Sequence, residues 1–410
     1  MCAALTLPIS AGAQGDPATS LRLNLSTFGG WESDITGMAA DPEASPSAPY
    51  AGSNASLNYQ TRNEKIAFSI RGSIDYRYYR TDMPVSAVSY GGQSVFGAEL
   101  TSRLNVTANV SSLYSPRFVY SLLPLDSEAA TVTTPTPLDY GLSAQSVRQI
   151  AVGTRATFRV TRRSWLNATL SGSRQQLLDD NINLATRGYG AGYSYAVSRY
   201  AKLRIGYSQQ DSDYPSYGPM PARRYSQRSF DGGVDFSKPL SISRRTTVSF
   251  STGSSAINDG LETFVNFTAA AALRHQIGRT WEANVGYQRG MSVVAGFAEP
   301  FFADSVNGNV RGHLSRSIAL EMGAGFANGI VGLGSRGEDY IGYKANSSLE
   351  WIVQRDRIGL YADYYFYSYE FGGATTALAS IPRQVNTHGV RAGLRFRFPL
   401  IRERTPRVTR

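Results

Sequence analysis

The sequence predicts an all-β protein: a transmembrane antiparallel up-and-down β-barrel of about 18 strands, with 16 as the alternative count. Three observations lead there. Long stretches alternate residue by residue between apolar and polar side chains. Charged residues sit in the middle of those stretches, on the polar parity. Connections between stretches alternate between short and long.

Composition narrows the classes first. The chain has 410 residues, of which 42% are hydrophobic, 11% aromatic and 18% charged. A soluble α-rich domain would carry about a quarter charged residues. Tyr numbers 25 and Gly 40, and no run reaches the roughly 18 apolar residues of a spanning helix. One Cys excludes a disulfide framework and a Cys-based zinc cluster, and three scattered His argue against a His-rich metal centre. No phosphate loop, dinucleotide fingerprint or Gly-x-Ser-x-Gly motif is present. The expectation is therefore a protein without cofactor, metal or catalytic residues. The formal net charge is +10, but the Arg residues are spread along turns rather than gathered in a patch, so no nucleic-acid partner is expected.

At the N-terminus, residues 3–9 are apolar and Ala11-Gly12-Ala13 matches the small-x-small cleavage pattern. Residues 1–13 read as a truncated signal peptide, 14–398 as the barrel and 399–410 as a basic periplasmic tail without order. Export would leave the mature chain without Cys.

The strands follow in order. Ile66, Phe68, Ile70, Gly72, Ile74 and Tyr76 alternate with smaller, polar or charged residues. That is the period-2 pattern of a strand with one greasy and one wet face. Val265, Phe267, Ala269, Ala271 and Leu273 repeat it, as do Trp281, Ala283, Val285 and Tyr287, then Val306, Val310 and Leu314. The last example is Val390, Ala392, Leu394, Phe396 and Phe398. Soluble sandwiches also alternate, but they rarely place so many charges opposite the apolar face. A barrel with lipid outside and water inside requires it.

Short connections are expected near 61–65, 101–104, 161–164, 197–202, 237–245, 274–279, 315–317 and 353–357. Long ones are expected near 32–50, 80–92, 115–145, 175–184, 209–226, 254–262, 290–304, 328–339 and 369–386. Eight short and nine long connections give 18 strands with both termini on the short-turn side. The first strand and those near 225–236 and 246–257 have the weakest patterns. Each short turn holds an Arg: Arg62, Arg103, Arg162, Arg199, Arg244, Arg279, Arg316 and Arg355. There the cations would meet lipid phosphates, or simply be solvated. Tyr76, Tyr78, Tyr114, Trp165, Tyr189, Tyr193, Tyr195, Trp281, Tyr340 and Trp351 cluster near strand ends, as interfacial girdles predict.

Arg391-Ala392-Gly393-Leu394-Arg395-Phe396-Arg397-Phe398 resembles the last-strand signal read by the outer-membrane barrel-assembly machinery. By that resemblance Arg391, Gly393, Phe396 and Phe398 are its anchors, although the chain runs twelve residues past the final aromatic. The whole mature chain resembles uncharacterised Gram-negative outer-membrane β-barrel, porin-like proteins, some of which accompany exopolysaccharide export. The resemblance implies the outer membrane as location, and as partners outer-membrane lipids and lipopolysaccharide, the assembly machinery and periplasmic export components. The oligomeric state is left open.

An 18-stranded barrel is too wide for its wall side chains to fill. The polar parity would line the lumen, with Arg71, Arg155, Arg204 and Arg311 facing Asp75, Glu99, Asp235, Glu282, Glu321, Glu350 and Asp363. Arg77, Arg159, Lys344, Arg391, Arg395 and Arg397 add positive charge. These charges would either order water in a transverse field or pair across the wall. The connection 115–145 contains an apolar run, Phe118 to Leu125, suited to folding into the barrel mouth and narrowing it. On the strand near 358–371, Tyr361, Tyr365 and Tyr367 point inward and Tyr364 and Phe366 outward. His275 falls in a short turn, His313 inside near a strand end, and His388 near an outer end. The reading is a pore for small hydrophilic solutes. A polysaccharide-export conduit and a plugged structural or adhesive barrel are the alternatives.

Overall fold

The computed structural model describes residues 18–33, 47–81, 84–116, 118–119, 141–143, 145–179, 181–214, 216, 222–236, 238–239, 246–258, 263–292, 301–332, 338–354, 357–372 and 384–401. Eighteen long strands run in chain order. They are β1 (Ala18–Glu32), β2 (Ala48–Arg62), β3 (Ile66–Tyr79), β4 (Val85–Thr101), β5 (Leu104–Ser115) and β6 (Val147–Arg159). Next come β7 (Ser164–Leu177), β8 (Ile182–Ala196), β9 (Ala201–Tyr214), β10 (Arg223–Phe236), β11 (Thr246–Asn258) and β12 (Thr263–Ile277). The last are β13 (Trp281–Ser292), β14 (Phe301–His313), β15 (Ile318–Val331), β16 (Glu338–Gln354), β17 (Ile358–Phe371) and β18 (Gln384–Ile401). Each pairs antiparallel with its chain neighbours, and β1 also pairs with β18, so the sheet closes on itself. Two short pieces accompany them. Lys238–Pro239 extends the edge of β11, and Phe118–Val119 pairs with Gly141–Ser143. The count is 18 rather than 16, and the three strands with the weakest patterns are all present.

The faces separate as the alternation predicts. Val265 is 71% exposed, Phe267 56% and Leu394 40%, while Asp75, Glu350, Asp363, Arg391 and Arg395 are buried. On a closed barrel the diverging outer surface exposes side chains and the converging inner surface buries them. The apolar face is therefore the outside. Water would penalise so large an apolar exterior and hydrocarbon would not. The architecture is a membrane-spanning β-barrel.

The short turns share one local device. Asn63 Oδ1 accepts from the backbone N–H groups of Lys65 (3.0 Å) and Ile66 (2.6 Å). Thr101 Oγ1 accepts from those of Arg103 (3.2 Å) and Leu104 (3.0 Å), and Ser198 Oγ from those of Tyr200 (3.1 Å) and Ala201 (3.0 Å). Ser315 Oγ does the same for Ser317 (3.3 Å) and Ile318 (3.2 Å). A short polar side chain thus replaces the missing ladder partners at the reversal.

Several boundaries differ from the sequence reading. The connection expected at 175–184 is shorter: β7 runs to Leu177 and β8 starts at Ile182, and Asn181 just before it adopts φ 53°, a left-handed conformation that Asn tolerates. β12 runs to Ile277 and turns at Gly278 (φ 63°), which places Arg274 and His275 inside the strand rather than in the turn. His275 Nδ1 lies 2.7 Å from Thr246 Oγ1 on β11. β18 continues through Pro399 to Ile401, beyond the expected start of the tail. Residues 1–13 and 402–410 lie outside the described residues, as do Arg244, Arg355 and most of 115–145, including the run 120–125.

Candidate pore lining

Strand register fixes which charges share the interior. Inward Glu99, Arg155, Arg204, Glu282, Arg311, Glu321 and Glu350 lie within a few residues of short turns, whereas inward Asp75 and Arg77 lie toward the long-loop end of β3. Glu282 on β13 stands opposite Arg311 on β14, whose Nη2 donates to its Oε2 at 3.2 Å. Arg274 Nε on β12 reaches Glu282 Oε1 at 2.9 Å, and Asn284 Nδ2 donates to the same oxygen at 3.1 Å. Glu321 on β15 faces Arg311 across the next ladder. Arg71 is exposed inside the barrel, and Glu99, Arg155 and Arg204 are half-buried on the same face. Asp235 lies on β10 opposite Lys202, and its side chain is outside the described ones.

A second group is locked into the wall formed by β16, β17, β18, β1, β2 and β3. Arg391 Nε donates to Asp363 Oδ2 at 2.8 Å, and Ser348 Oγ donates to the other carboxylate oxygen. Arg395 Nη1 donates to Glu350 Oε2 at 2.9 Å, and Arg397 binds Glu350 Oε1. Arg77 Nε bonds Asp75 Oδ1 at 3.3 Å. The guanidiniums also stack on rings. Arg391 lies 5.5 Å from the Phe28 centroid, Arg77 lies 5.1 Å from Tyr50, and Arg395 lies 4.5 Å from Tyr361. Buried charges persist only when paired and hydrogen-bonded, and cation–π contacts add about 1–2 kcal/mol where water is excluded. Asp75, Glu350 and Asp363 therefore build the wall, whereas Arg71, Glu99, Arg155, Arg204, Glu282, Arg311 and Glu321 remain accessible from the interior. Pairing across the wall, one of the two roles the sequence leaves open, is seen in both groups: Asp363 with Arg391 and Glu350 with Arg395 in the second, Glu282 with Arg311 in the first.

The long-loop half of the interior differs from the simple polar expectation. Leu177, Ile182, Leu184, Tyr214, Tyr225, Ile257, Phe301, Tyr340, Tyr365, Tyr367 and Tyr369 all lie on inward positions there and are buried. They form an apolar and aromatic collar beyond the charged ring. Tyr340 and Trp165, expected in the outer girdle, point inward. Ser194, an inward residue, faces Trp165 across the ladder, and Lys202 Nζ lies 5.2 Å from its ring. Tyr76, Tyr78, Tyr189, Tyr193, Tyr195 and Trp351 do lie outside, and Tyr114 stacks there on Tyr90 at 4.9 Å. The collar needs close backbone approach: a Cβ on Gly52 would sit 2.5 Å from the Phe28 ring, and one on Gly389 would overlap the Tyr365 ring.

The anchors of the last-strand motif divide by face. Phe396 and Phe398 fall on the outer parity, Arg391 is paired inside, and a Cβ on Gly393 would collide with Thr27 and Phe28 of β1. Among the described residues no group of three or more His, Cys, Asp or Glu could hold a metal.

No family model and no curated protein matches the chain. Among solved structures, the chain is similar to Pseudomonas aeruginosa OccK2 (OpdF) in complex with glucuronate, with 11% identity and a TM-score of 0.47 over 93% of this chain and 98% of that one. It is also similar to Acinetobacter baumannii OccAB3, with 9% identity and a TM-score of 0.44 over 93% and 99%. The siderophore receptor PirA from Acinetobacter baumannii gives 8% identity and a TM-score of 0.43 over 94% and 81%. At such identities and scores these likenesses carry no functional weight.

Proposed function

We propose that this chain forms a pore in the outer membrane of a Gram-negative bacterium, through which small hydrophilic solutes diffuse. One observation carries the reading: in a closed 18-strand barrel, large apolar side chains cover the outside while paired and accessible charges face inward. That inversion suits hydrocarbon around the wall and water within it, and barrels of this width enclose an aqueous lumen. The accessible ring of Arg71, Arg155, Arg204, Arg311, Glu99, Glu282 and Glu321 would filter by charge, and the collar would set the narrowest width. The location, the assembly role of Arg391, Gly393, Phe396 and Phe398, and the wet lumen belong to this proposal.

The buried collar favours one second reading, a plugged structural barrel. Planar-bilayer recording of the refolded chain separates the two: discrete conductance steps support the pore, and a silent but inserted barrel supports the plug. A polysaccharide conduit would conduct as well, and loss of surface polysaccharide on gene deletion would mark that narrower role.

A further inference from the structure

The wall has an irregular seam between β10 and β11. Among the described residues, the other neighbouring long strands are laddered over nine to fifteen residue pairs, but these two over five, from Ser226 with Asn258 to Phe230 with Ser254. Pairing resumes only at Lys238 with Val248. Seven residues of the chain lie between Phe230 and Lys238 and five between Val248 and Ser254, so the β10 side carries two extra residues. On its other edge β10 pairs with β9 without a break as far as Phe236. The irregularity therefore belongs to this one interface, and bulges of this kind gather beside functional sites.

The interrupted stretch crosses the apolar band. Outward parity there holds Phe230, Val234 and Phe236 on β10 and Val248 and Phe250 on β11. Backbone polar groups outside a ladder persist at this depth only where protein covers them or water reaches them. The inner face is polar: Ser249 and Ser251 lie on inward parity, and half-buried Arg204 stands opposite Gly233 in the β9 ladder. Both ends of the stretch are tied. Toward the long loops, Gln227 Nε2 donates to Ser255 Oγ at 2.9 Å and Ser229 Oγ donates to the same oxygen at 3.2 Å. Toward the short turn, the Phe236 and Phe250 ring centroids are 6.4 Å apart. Between these ties the contact is thin. Thr252 Oγ1 lies 3.5 Å from the Gly232 carbonyl oxygen, and a Cβ on Gly233 would sit 3.1 Å from that of Thr252. A Cβ on Gly232 would meet nothing within 4 Å.

We propose that this seam is a lateral portal, through which a carboxylate bearing one long alkyl tail passes between the lumen and the membrane. The slit has a polar inner lip with a cation beside it and an apolar outer lip. The carboxylate would meet Arg204 and the seryl hydroxyls, as a guanidinium favours a carboxylate partner. The tail would leave past Gly232, between Val234 and Phe250, into surroundings that favour it. This inference rests on the reading of the chain as an outer-membrane pore.

The test uses the full chain refolded into lipid nanodiscs. Amides of 231–236 and 249–253 should exchange with deuterium roughly tenfold faster than the laddered amides of 166–170 in the same apolar band. A palmitate analogue with a photoreactive group next to its carboxylate should label the inner lip at Ser249 and Ser251 in preference to other inward positions. Gly232→Trp, which fills the open space from the membrane side, should cut that labelling several-fold and leave single-channel conductance unchanged. Gly232→Leu repeats the test with a smaller side chain. Arg204→Gln should remove the preference for the acid over the matching alcohol probe. Slow exchange at the seam, label spread evenly over the inward face, or full labelling in both Gly232 variants overturns the portal and leaves the pore intact. Equal labelling of the parent by acid and alcohol overturns the carboxylate assignment. A parent that inserts without conducting overturns the pore reading and the portal with it.

Discussion

Leu170 sits at the centre of β7, points outward and is 64% exposed. Ser171 follows it in the chain and points into the barrel, beside the space left by Gly188. Arg at these two adjacent positions meets opposite solvents if the wall is embedded in lipid. Arg on the lipid face near the bilayer midplane costs about 2–4 kcal/mol, a factor of roughly 30 to 900 in the folded population. Arg facing an aqueous interior falls within about 0.5–1 kcal/mol, the range of ordinary surface changes. Leu170→Arg should therefore lower the unfolding free energy several-fold more than Ser171→Arg. Reversible urea unfolding from short-chain phosphatidylcholine vesicles, followed by tryptophan fluorescence, measures both. If the exterior faced water, replacing a side chain that is mostly exposed would be nearly neutral and the variant would become more soluble. Equal costs at the two positions, or a stabilised Leu170→Arg, would refute the assignment of faces.

Further expectations follow from the interior. Asp363→Ala leaves Arg391 buried without its carboxylate and Ser348 without its acceptor, which should cost about 3–5 kcal/mol in the same unfolding assay. D363L/R391M removes both charges and should recover most of that loss. Reversing three accessible cations together, R71E/R155E/R204E, should move the reversal potential in a salt gradient toward cation preference with little change in stability. An unchanged potential would remove these side chains from the conduction path. Gly389→Val drives a branched side chain into the Tyr365 ring and should destabilise by about 1–3 kcal/mol, whereas Gly232→Val, with nothing near its Cβ, should not.

The sequence made the fold legible because barrel physics acts on every residue of a strand. Lipid and water on opposite sides of one ladder force a period of two, and a single charge within the strand, such as Arg71 or Asp75, assigns parity to the whole segment; Glu282, expected mid-strand, stands at the very start of β13. Short turns were legible for a local reason: Asn63, Thr101, Ser198 and Ser315 satisfy the reversing backbone themselves. The collar was not legible. Near the long loops the inner face becomes apolar at Leu177, Ile182 and Leu184, so periodicity no longer distinguishes inside from outside. Trp165 and Tyr340 were misplaced for the same reason, since an aromatic near a strand end suits either a membrane interface or a packed interior. The division of the inner charges into wall and accessible groups also depends on tertiary register. Nothing near Asp363 in the chain announces Arg391 as its partner, because the two meet only when β17 and β18 pair.

The seam between β1 and β18 joins the first and last strands, from Leu21 with Ile401 to Glu32 with Gly389. Until the last strand arrives, the first has an unsatisfied hydrogen-bonding edge, and so does whichever strand was added most recently. No intermediate length of this polypeptide is a smaller finished cylinder. A chain cut short before its final hairpin would keep two sticky borders and nowhere to hide them.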